Sequence, residues 1–203
     1  MDVQRALADI GDIRLQMCRT RLFRGFTAPM TLCTAGAAAL AAAWQAGWVG
    51  NAADDPVRFV QYWMCVAAGC MTLAGAAVVR RYRESDSTLQ RELTLSVVEA
   101  LLPCLFVGGL LTYVICAFAP AAVWMLPGLW QVFFGLGIFQ LRKLLPWMVV
   151  GVGSFYVLCG LLNLSAGQPA GAFAAWRMGV PFGVGQAAAA LILRRGREDG
   201  YGA

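Results

Sequence analysis

The sequence predicts an all-α protein, a membrane bundle of six transmembrane helices with both termini in the cytoplasm. Three observations support this class. The chain is 60% hydrophobic and 13% charged, whereas soluble domains carry about 25% charged residues. Long stretches contain no charged residue at all. Basic residues are numerous in every second segment between those stretches and rare in the others, as expected for a chain that crosses a membrane repeatedly.

The charge-free stretches define the predicted helices. They cover residues 25–53, 59–79, 100–141, 144–176 and 178–193. A transmembrane helix needs about 20 apolar residues, so the third stretch provides two helices, with the turn at Pro120. Continuous apolar runs favour helices over barrel strands, whose residues alternate. The six helices are therefore predicted at residues 26–49, 59–79, 93–118, 121–141, 144–164 and 172–193.

Residues 1–25 predict an amphipathic helix in the cytoplasmic membrane interface. Charged residues interrupt every apolar run, which argues against a secretory signal. The helix is expected to act as an interfacial anchor, and the alternative is a docking arm for a cytoplasmic partner or another subunit. Residues 26–194 form the predicted six-helix transmembrane domain, and residues 195–203 a short cytoplasmic tail. Apolar residues recur at helical spacing at Val3, Ala6, Leu7, Ile10, Ile13 and Met17.

The arginine distribution predicts the orientation. Short loops rich in Arg and Lys remain on the cytoplasmic side, and 14 of the 16 basic residues fall on one face of the six-helix arrangement. Only Arg58 and Arg177 lie on the other face, so both termini are placed in the cytoplasm. The net charge of +5 is thus a topology signal, and dispersed basic residues do not indicate a nucleic-acid partner. The expected location is the bacterial inner (cytoplasmic) membrane, as a multi-pass protein.

The residue inventory favours a protein without enzymatic activity. The chain has no histidine, which removes the usual haem ligand, the commonest zinc ligand and the commonest acid-base group near neutral pH. Its seven cysteines form no CxxC pair and fall mostly within predicted helices, where they act as small packing residues. We therefore expect no catalytic residue, no metal and no cofactor.

Glu99 is the charged residue that orientation does not explain. It is the only acidic side chain placed within a predicted helix beyond the first turn, and ionisable groups at membrane depth indicate function by default. Pro103 lacks an N–H and therefore leaves the carbonyl of Glu99 without its helical donor. The pair predicts a proton or cation site. The alternative is that Glu99 lies shallow enough to reach the interface or to pair with Arg80, Arg91 or Arg142.

Two further polar residues lie beside helix-breaking residues. Gln131 follows Pro127 and Gly128, and Gln186 follows Pro181. Both segments are candidates for locally broken helices whose free backbone groups line a cavity. Together with Glu99 and Pro103, Gln131 and Gln186 form the predicted intramembrane polar site.

Small residues in the predicted helices indicate close helix packing. Association in lipid depends on backbones that approach closely, since the hydrophobic drive between helices is absent. The relevant residues include an alanine run in the first helix and glycines in later ones, among them Gly135, Gly137, Gly151, Gly153 and Gly160.

Four segments resemble short bacterial integral membrane proteins of unknown function that have six helices. They are residues 12–16 with 23–25, residues 126–130 and residues 181–186, and the resemblance covers most of the chain. It implies a six-helix membrane fold and carries no activity with it.

Two functions of different classes are consistent with these patterns. The first is a non-enzymatic accessory or regulatory membrane subunit that acts through helix–helix and cytoplasmic-arm contacts. Its partners would be the lipid bilayer and another protein or a second copy of the chain. The alternative is a small transporter or channel whose path is lined by Glu99 and by breaks in the fourth and sixth helices.

Overall fold

The computed structural model describes residues 28–50, 55–84, 88–144, 147–167 and 171–198. These ranges contain six α-helices, two short 3-10 segments and no strand, which confirms the predicted all-α class and the order of six helices. The amphipathic helix predicted at residues 1–25 and most of the predicted tail lie outside the described residues. The helices are α1 (Ala28–Val49), α2 (Pro56–Glu84), α3 (Thr88–Phe118), α4 (Leu126–Gln140), α5 (Val149–Ser165) and α6 (Ala175–Glu198), with 3-10 segments at Pro120–Met125 and Leu141–Lys143.

Several helices extend beyond the predicted bounds. Apolar runs mark only the part of a helix that suits hydrocarbon, whereas helical hydrogen bonds continue into polar sequence. α2 therefore runs to Glu84 instead of residue 79, and α3 begins at Thr88 instead of residue 93. α6 continues to Glu198, so residues assigned to the tail belong to its last turn.

Successive helices run in alternating directions. The connections α1–α2, α3–α4 and α5–α6 lie at one end, and the connections α2–α3 and α4–α5 at the other. We call these the outer end and the inner end, after the sides that the arginine distribution predicts. Gly50 directly follows α1, and Gly167 lies two residues after the end of α5. Their φ values are 66° and 67°, a left-handed conformation that glycine adopts without steric penalty.

The most extensive helix pair is α4 with α5, and glycines set its close spacing. A Cβ on Gly128 would lie 2.8 Å from the Gly160 carbonyl oxygen, and a Cβ on Gly160 would lie 2.6 Å from the Gly128 carbonyl oxygen. About two turns further inward, a Cβ on Gly135 would lie 2.8 Å from the Gly153 carbonyl oxygen. The two antiparallel backbones thus touch at two levels, which is the packing that small residues permit in lipid.

The second extensive pair is α1 with α6. The buried stripe of α1 includes Ala35, Ala38 and Ala41, which recur at the three-residue spacing of one helix face. A Cβ on Gly179 of α6 would collide with Ala42. The alanine run of the first predicted helix is therefore an interface with the last helix.

Two hydrophobic clusters close the bundle at its two ends. The outer cluster joins residues of five helices and includes Phe59, Trp63 and Leu126, all at most 3% exposed. The inner cluster comprises Leu93, Val97, Leu141 and Val149, which come from the first turns of α3, the 3-10 segment after α4 and the first residue of α5.

Four stretches are long and apolar enough to cross a membrane, as judged by length and composition: Ala28–Val49, Pro56–Glu84, Arg91–Phe118 and Pro120–Gln140. α5 is apolar but has 17 residues. α2 and α3 bury little of their surface, and many of their large apolar side chains are exposed. On α3 these include Leu102, Phe106, Tyr113 and Phe118, which are 56–76% exposed.

Candidate functional site

A buried polar cluster joins α4, α5 and α6 near the outer end. Gln131 is fully buried, and its Nε2 donates to the backbone carbonyl of Arg177 at 2.6 Å. Asn163 Nδ2 donates to Gln131 Oε1 at 2.9 Å and lies 3.4 Å from the same Arg177 carbonyl. Both polar ends of the Gln131 amide are therefore bonded within the protein, as buried amides require.

Pro181 explains why the Arg177 carbonyl accepts side-chain donors. In a helix this carbonyl would accept the N–H of residue 181, but proline has none. α6 continues through Pro181 without interruption, because Gln131 and Asn163 supply the missing donors from neighbouring helices. Proline is tolerated in membrane helices when neighbours satisfy the freed carbonyl in this way.

The predicted helix breaks take a different form in the structure. α6 is continuous, so the expected break at Pro181 is wrong, and the freed carbonyl faces donors of the protein. In the fourth predicted helix, Pro127 lies in the first turn of α4, directly after the 3-10 segment Pro120–Met125. Proline there costs no hydrogen bond, because the first N–H groups of a helix have no helical acceptor.

The Arg177 side chain is the charged group nearest this cluster. Its guanidinium carbon lies 5.5 Å from the centre of the Trp176 ring, a cation–π distance. Its Nε is buried and has no hydrogen-bond partner among the residues that the structure describes. Trp176 is 61% exposed, so the pair lies at the surface of the outer end.

A second polar cluster centres on Gln45 of α1. Its Nε2 donates to the Phe173 carbonyl at 2.8 Å, and its Oε1 accepts from Trp63 Nε1 at 2.9 Å. Nearby, Tyr62 donates to the Ala41 carbonyl at 2.6 Å. The cluster thus ties α1 to α2 and to the α5–α6 connection. Tyr62 and Trp63 therefore have their polar groups bonded inside the bundle.

Gln186 belongs to an aromatic region deeper in the bundle. Its side chain lies close to the hydroxyl of Tyr156, which is fully buried and donates to the Phe182 carbonyl at 3.5 Å. The Tyr156 ring contacts Phe134 and Phe182 with centroid separations of 4.9 and 5.2 Å. Gln186 is nine residues beyond Arg177, which places it about 14 Å along α6 from the Gln131 cluster.

Glu99 and Pro103 lie on the side of α3 that faces away from the bundle. Glu99 is exposed, and no partner of its carboxylate occurs in the described ranges. It follows Val97 of the inner cluster by two residues, or about 3 Å along the helix. Arg142 directly follows Leu141 of that same cluster. Glu99 therefore lies near the level of the inner cluster, eleven residues or about 17 Å along α3 from Thr88.

The structure does not bring the four predicted site residues together. Gln131 precedes Leu141 by ten residues, so it lies about 12 Å further from the inner end than Glu99 does. Glu99 also faces outward, whereas Gln131 is fully buried. Within the described residues, no group of three or more His, Cys, Asp or Glu side chains is placed to hold a metal.

Asn163 and Gln45, which complete the two polar clusters, are not among the residues predicted from the sequence. The available signal was simple, since each is an uncharged polar residue inside an apolar run. Such residues in membrane helices bond across helices more often than they face lipid. Their specific partners depend on backbone carbonyls, which a sequence pattern does not display.

The comparisons with known proteins yield no relative: no family model, no curated protein and no solved structure matches this chain.

Proposed function

We propose that this chain is a non-enzymatic integral protein of the bacterial inner membrane, an accessory or regulatory subunit that binds a partner transmembrane helix. In this proposal all six helices cross the membrane, and the inner end faces the cytoplasm. The observation that carries the subunit role is the outward face of α3, where the exposed carboxylate of Glu99 lies on the same side of the helix as exposed Phe106 and Tyr113.

The membrane assignment rests on helix length and surface. Besides the four long apolar stretches, α5 with its 17 residues spans about 26 Å, close to the thickness of the hydrocarbon. α6 has a charge-free core at residues 178–193, and Arg177 in its first turn would extend to the outer interface. Large exposed apolar side chains on α2 and α3 suit lipid and would be unfavourable in water.

The orientation predicts which end is accessible from outside. In a variant without native cysteines, Ala166→Cys at the outer end should react with a membrane-impermeant maleimide on intact spheroplasts. Arg142→Cys at the inner end should react only after the membrane is disrupted. Both residues are exposed, so burial does not account for a difference. Labelling of Arg142→Cys on intact spheroplasts would overturn the proposed orientation.

The outward face of α3 combines carboxylates with large apolar side chains. Glu92, Leu95, Glu99, Phe106 and Tyr113 recur at spacings of three, four or seven residues, which align on one side of a helix. Phe106 and Tyr113 are 63% and 66% exposed. A charge at the membrane centre costs about 2.5–3.5 kcal/mol, with less cost near the interface. A donor on a partner helix would lower that cost for Glu99.

The comparable face of α5 needs no partner. Leu158, Leu161 and Leu162 are 52–68% exposed and entirely apolar, so lipid alone is a sufficient neighbour. On α3, by contrast, Gly109 adds open space next to the backbone, which permits a second helix to approach closely. The partner helix is expected to present a basic or hydrogen-bond donor side chain at the level of Glu99.

Site-specific photo-crosslinking tests this proposal. A photoreactive amino acid at Phe106 should give one discrete crosslinked product in native membranes, whereas the same probe at Leu158 should give none. Glu99→Leu should reduce the Phe106 product several-fold, because the interhelical bond is lost. Glu92→Leu is the matched control and should leave the product unchanged. Glu92 lies on the same side of α3, about two turns nearer the inner end. Equal crosslinking at Phe106 and Leu158, or a product insensitive to Glu99, would contradict the subunit role.

Transport is not our proposal, because the polar groups that would line a path are bonded to each other. The Gln131 amide and the carbonyl freed by Pro181 form one hydrogen bond. Glu99 lies on the opposite side of α3 from the bundle, at a different depth.

A further inference from the structure

A groove opens between α5 and α6 in the inner half of the molecule. Its volume is about 440 Å³, and its surface is almost entirely apolar. The main lining residues are Trp147, Met148 and Gly151 on one side and Gly185, Ala188 and Ile192 on the other.

Small residues create this groove. Nothing lies within 4 Å of the position that a Cβ on Gly151 would take, so the surface is open there. Gly185 is the opposite case, because a Cβ there would lie 2.5 Å from the Tyr156 ring. The backbone of α6 and the Tyr156 ring thus close the groove toward the core, and the open side faces outward.

The groove follows α6 over about two and a half turns. On α6 the lining runs from Val184 to Ile192, or about 12 Å at 1.5 Å per residue. The apolar lining offers contact to a hydrocarbon chain along this length.

The inner mouth of the groove carries polar groups suited to an anionic headgroup. Trp147 is 80% exposed at the rim, and indole rings favour the headgroup level with the N–H toward water. Arg195 follows Ile192 by three residues and Ala188 by seven, which places it on the groove side of α6. Arg195 is exposed, and arginine near the membrane surface attracts anionic lipids.

We propose that the α5–α6 groove binds one acyl chain of an anionic phospholipid, with the lipid phosphate at Trp147 and Arg195. The proposal rests on the membrane assignment made above, in which this mouth opens to the cytoplasmic leaflet. The groove supplies apolar contact for the chain, and the arginine supplies selectivity for the headgroup.

Native mass spectrometry of the full chain, released from detergent micelles, provides the test. The probes are phosphatidylglycerol and phosphatidylcholine with identical acyl chains. The wild-type protein should bind one phosphatidylglycerol about five-fold more tightly than phosphatidylcholine, as expected for a single arginine near an anionic lipid. Arg195→Gln should abolish this preference, whereas Arg83→Gln, an exposed inner-end control, should retain it.

Filling the groove should remove binding of both lipids. Gly151→Leu places a side chain in open space, so the fold should be retained, which circular dichroism and a monodisperse gel-filtration profile would verify. Gly75→Leu on α2 is the matched control, because its Cβ also meets nothing within 4 Å and the groove is distant. Unchanged binding in Gly151→Leu would overturn the groove, and equal affinity of the wild type for both lipids would overturn the headgroup site.

These outcomes are separate from those of the proposed function. Micelles have no cytoplasmic side and contain no partner helix, so the lipid measurements do not depend on orientation or on a subunit role. Loss of the Phe106 crosslink would leave the groove intact, and loss of lipid binding would leave the α3 face intact.

Discussion

Gln131→Leu should lower the free energy of unfolding by about 2–3 kcal/mol, since it leaves buried polar groups without partners. The Arg177 carbonyl would lose its 2.6 Å bond, and Asn163 would lose its 2.9 Å acceptor. Leucine has a similar volume, so a cavity contributes little. The measurement is equilibrium unfolding in mixed micelles, followed by circular dichroism.

Pro181→Ala makes this prediction specific to the proposed geometry. Alanine at position 181 restores an N–H that donates to the Arg177 carbonyl within α6, so the Gln131 donor becomes less necessary. In that background Gln131→Leu should cost at least about 1 kcal/mol less, which a double-mutant cycle measures. Gln140→Leu, at an exposed position of the same helix, should change stability by less than about 0.5 kcal/mol. Strict additivity of the two substitutions would refute the link between Pro181 and Gln131.

Gly160→Ala should destabilise the bundle by about 1–3 kcal/mol, the usual cost of inserting atoms into a packed site. The new methyl group would lie 2.6 Å from the Gly128 carbonyl oxygen and 2.7 Å from Val132 Cγ2. Because one of these neighbours is backbone, relief requires α4 and α5 to separate. The same unfolding assay applies.

Gly151→Ala is the matched control for this contact. It lies on the same helix, with nothing within 4 Å of its Cβ position. Alanine there should leave stability unchanged or raise it by up to about 1 kcal/mol, because glycine is the poorer helix former. If both substitutions had the same effect, close α4–α5 contact would not determine the stability of this pair.

The order and the close packing of the helices were predictable because both depend on residues that are near one another in the chain. The order of six helices follows from apolar runs, and close packing follows from small residues such as Gly135 and Gly153. Individual helix ends were less predictable, as at Glu84 and Thr88, because polar helical turns resemble loops in composition. The membrane assignment and the orientation remain proposals that the labelling experiment tests.

The sequence indicated some residues of the candidate site, but it did not indicate how they are arranged. Gln131 and Pro181 were both singled out, yet their direct relation requires α4 and α6 to lie at one level. Glu99 was singled out for its charge, but the side of α3 that faces the bundle depends on the packing of Leu93 and Val97. When a helix is apolar on nearly all sides, its sequence does not indicate which face is buried.

By itself, the sequence determined the order of six consecutive helices, of which four contain long apolar stretches. Helix formation and charge placement depend on residues close in the chain, so a linear reading captures them. Only the tertiary structure decided which polar groups meet: the carbonyl freed by Pro181 with Gln131 and Asn163, and Gln45 with Trp63 and the Phe173 carbonyl. Those pairings depend on the rotation and depth of each helix, which many weak packing contacts set together.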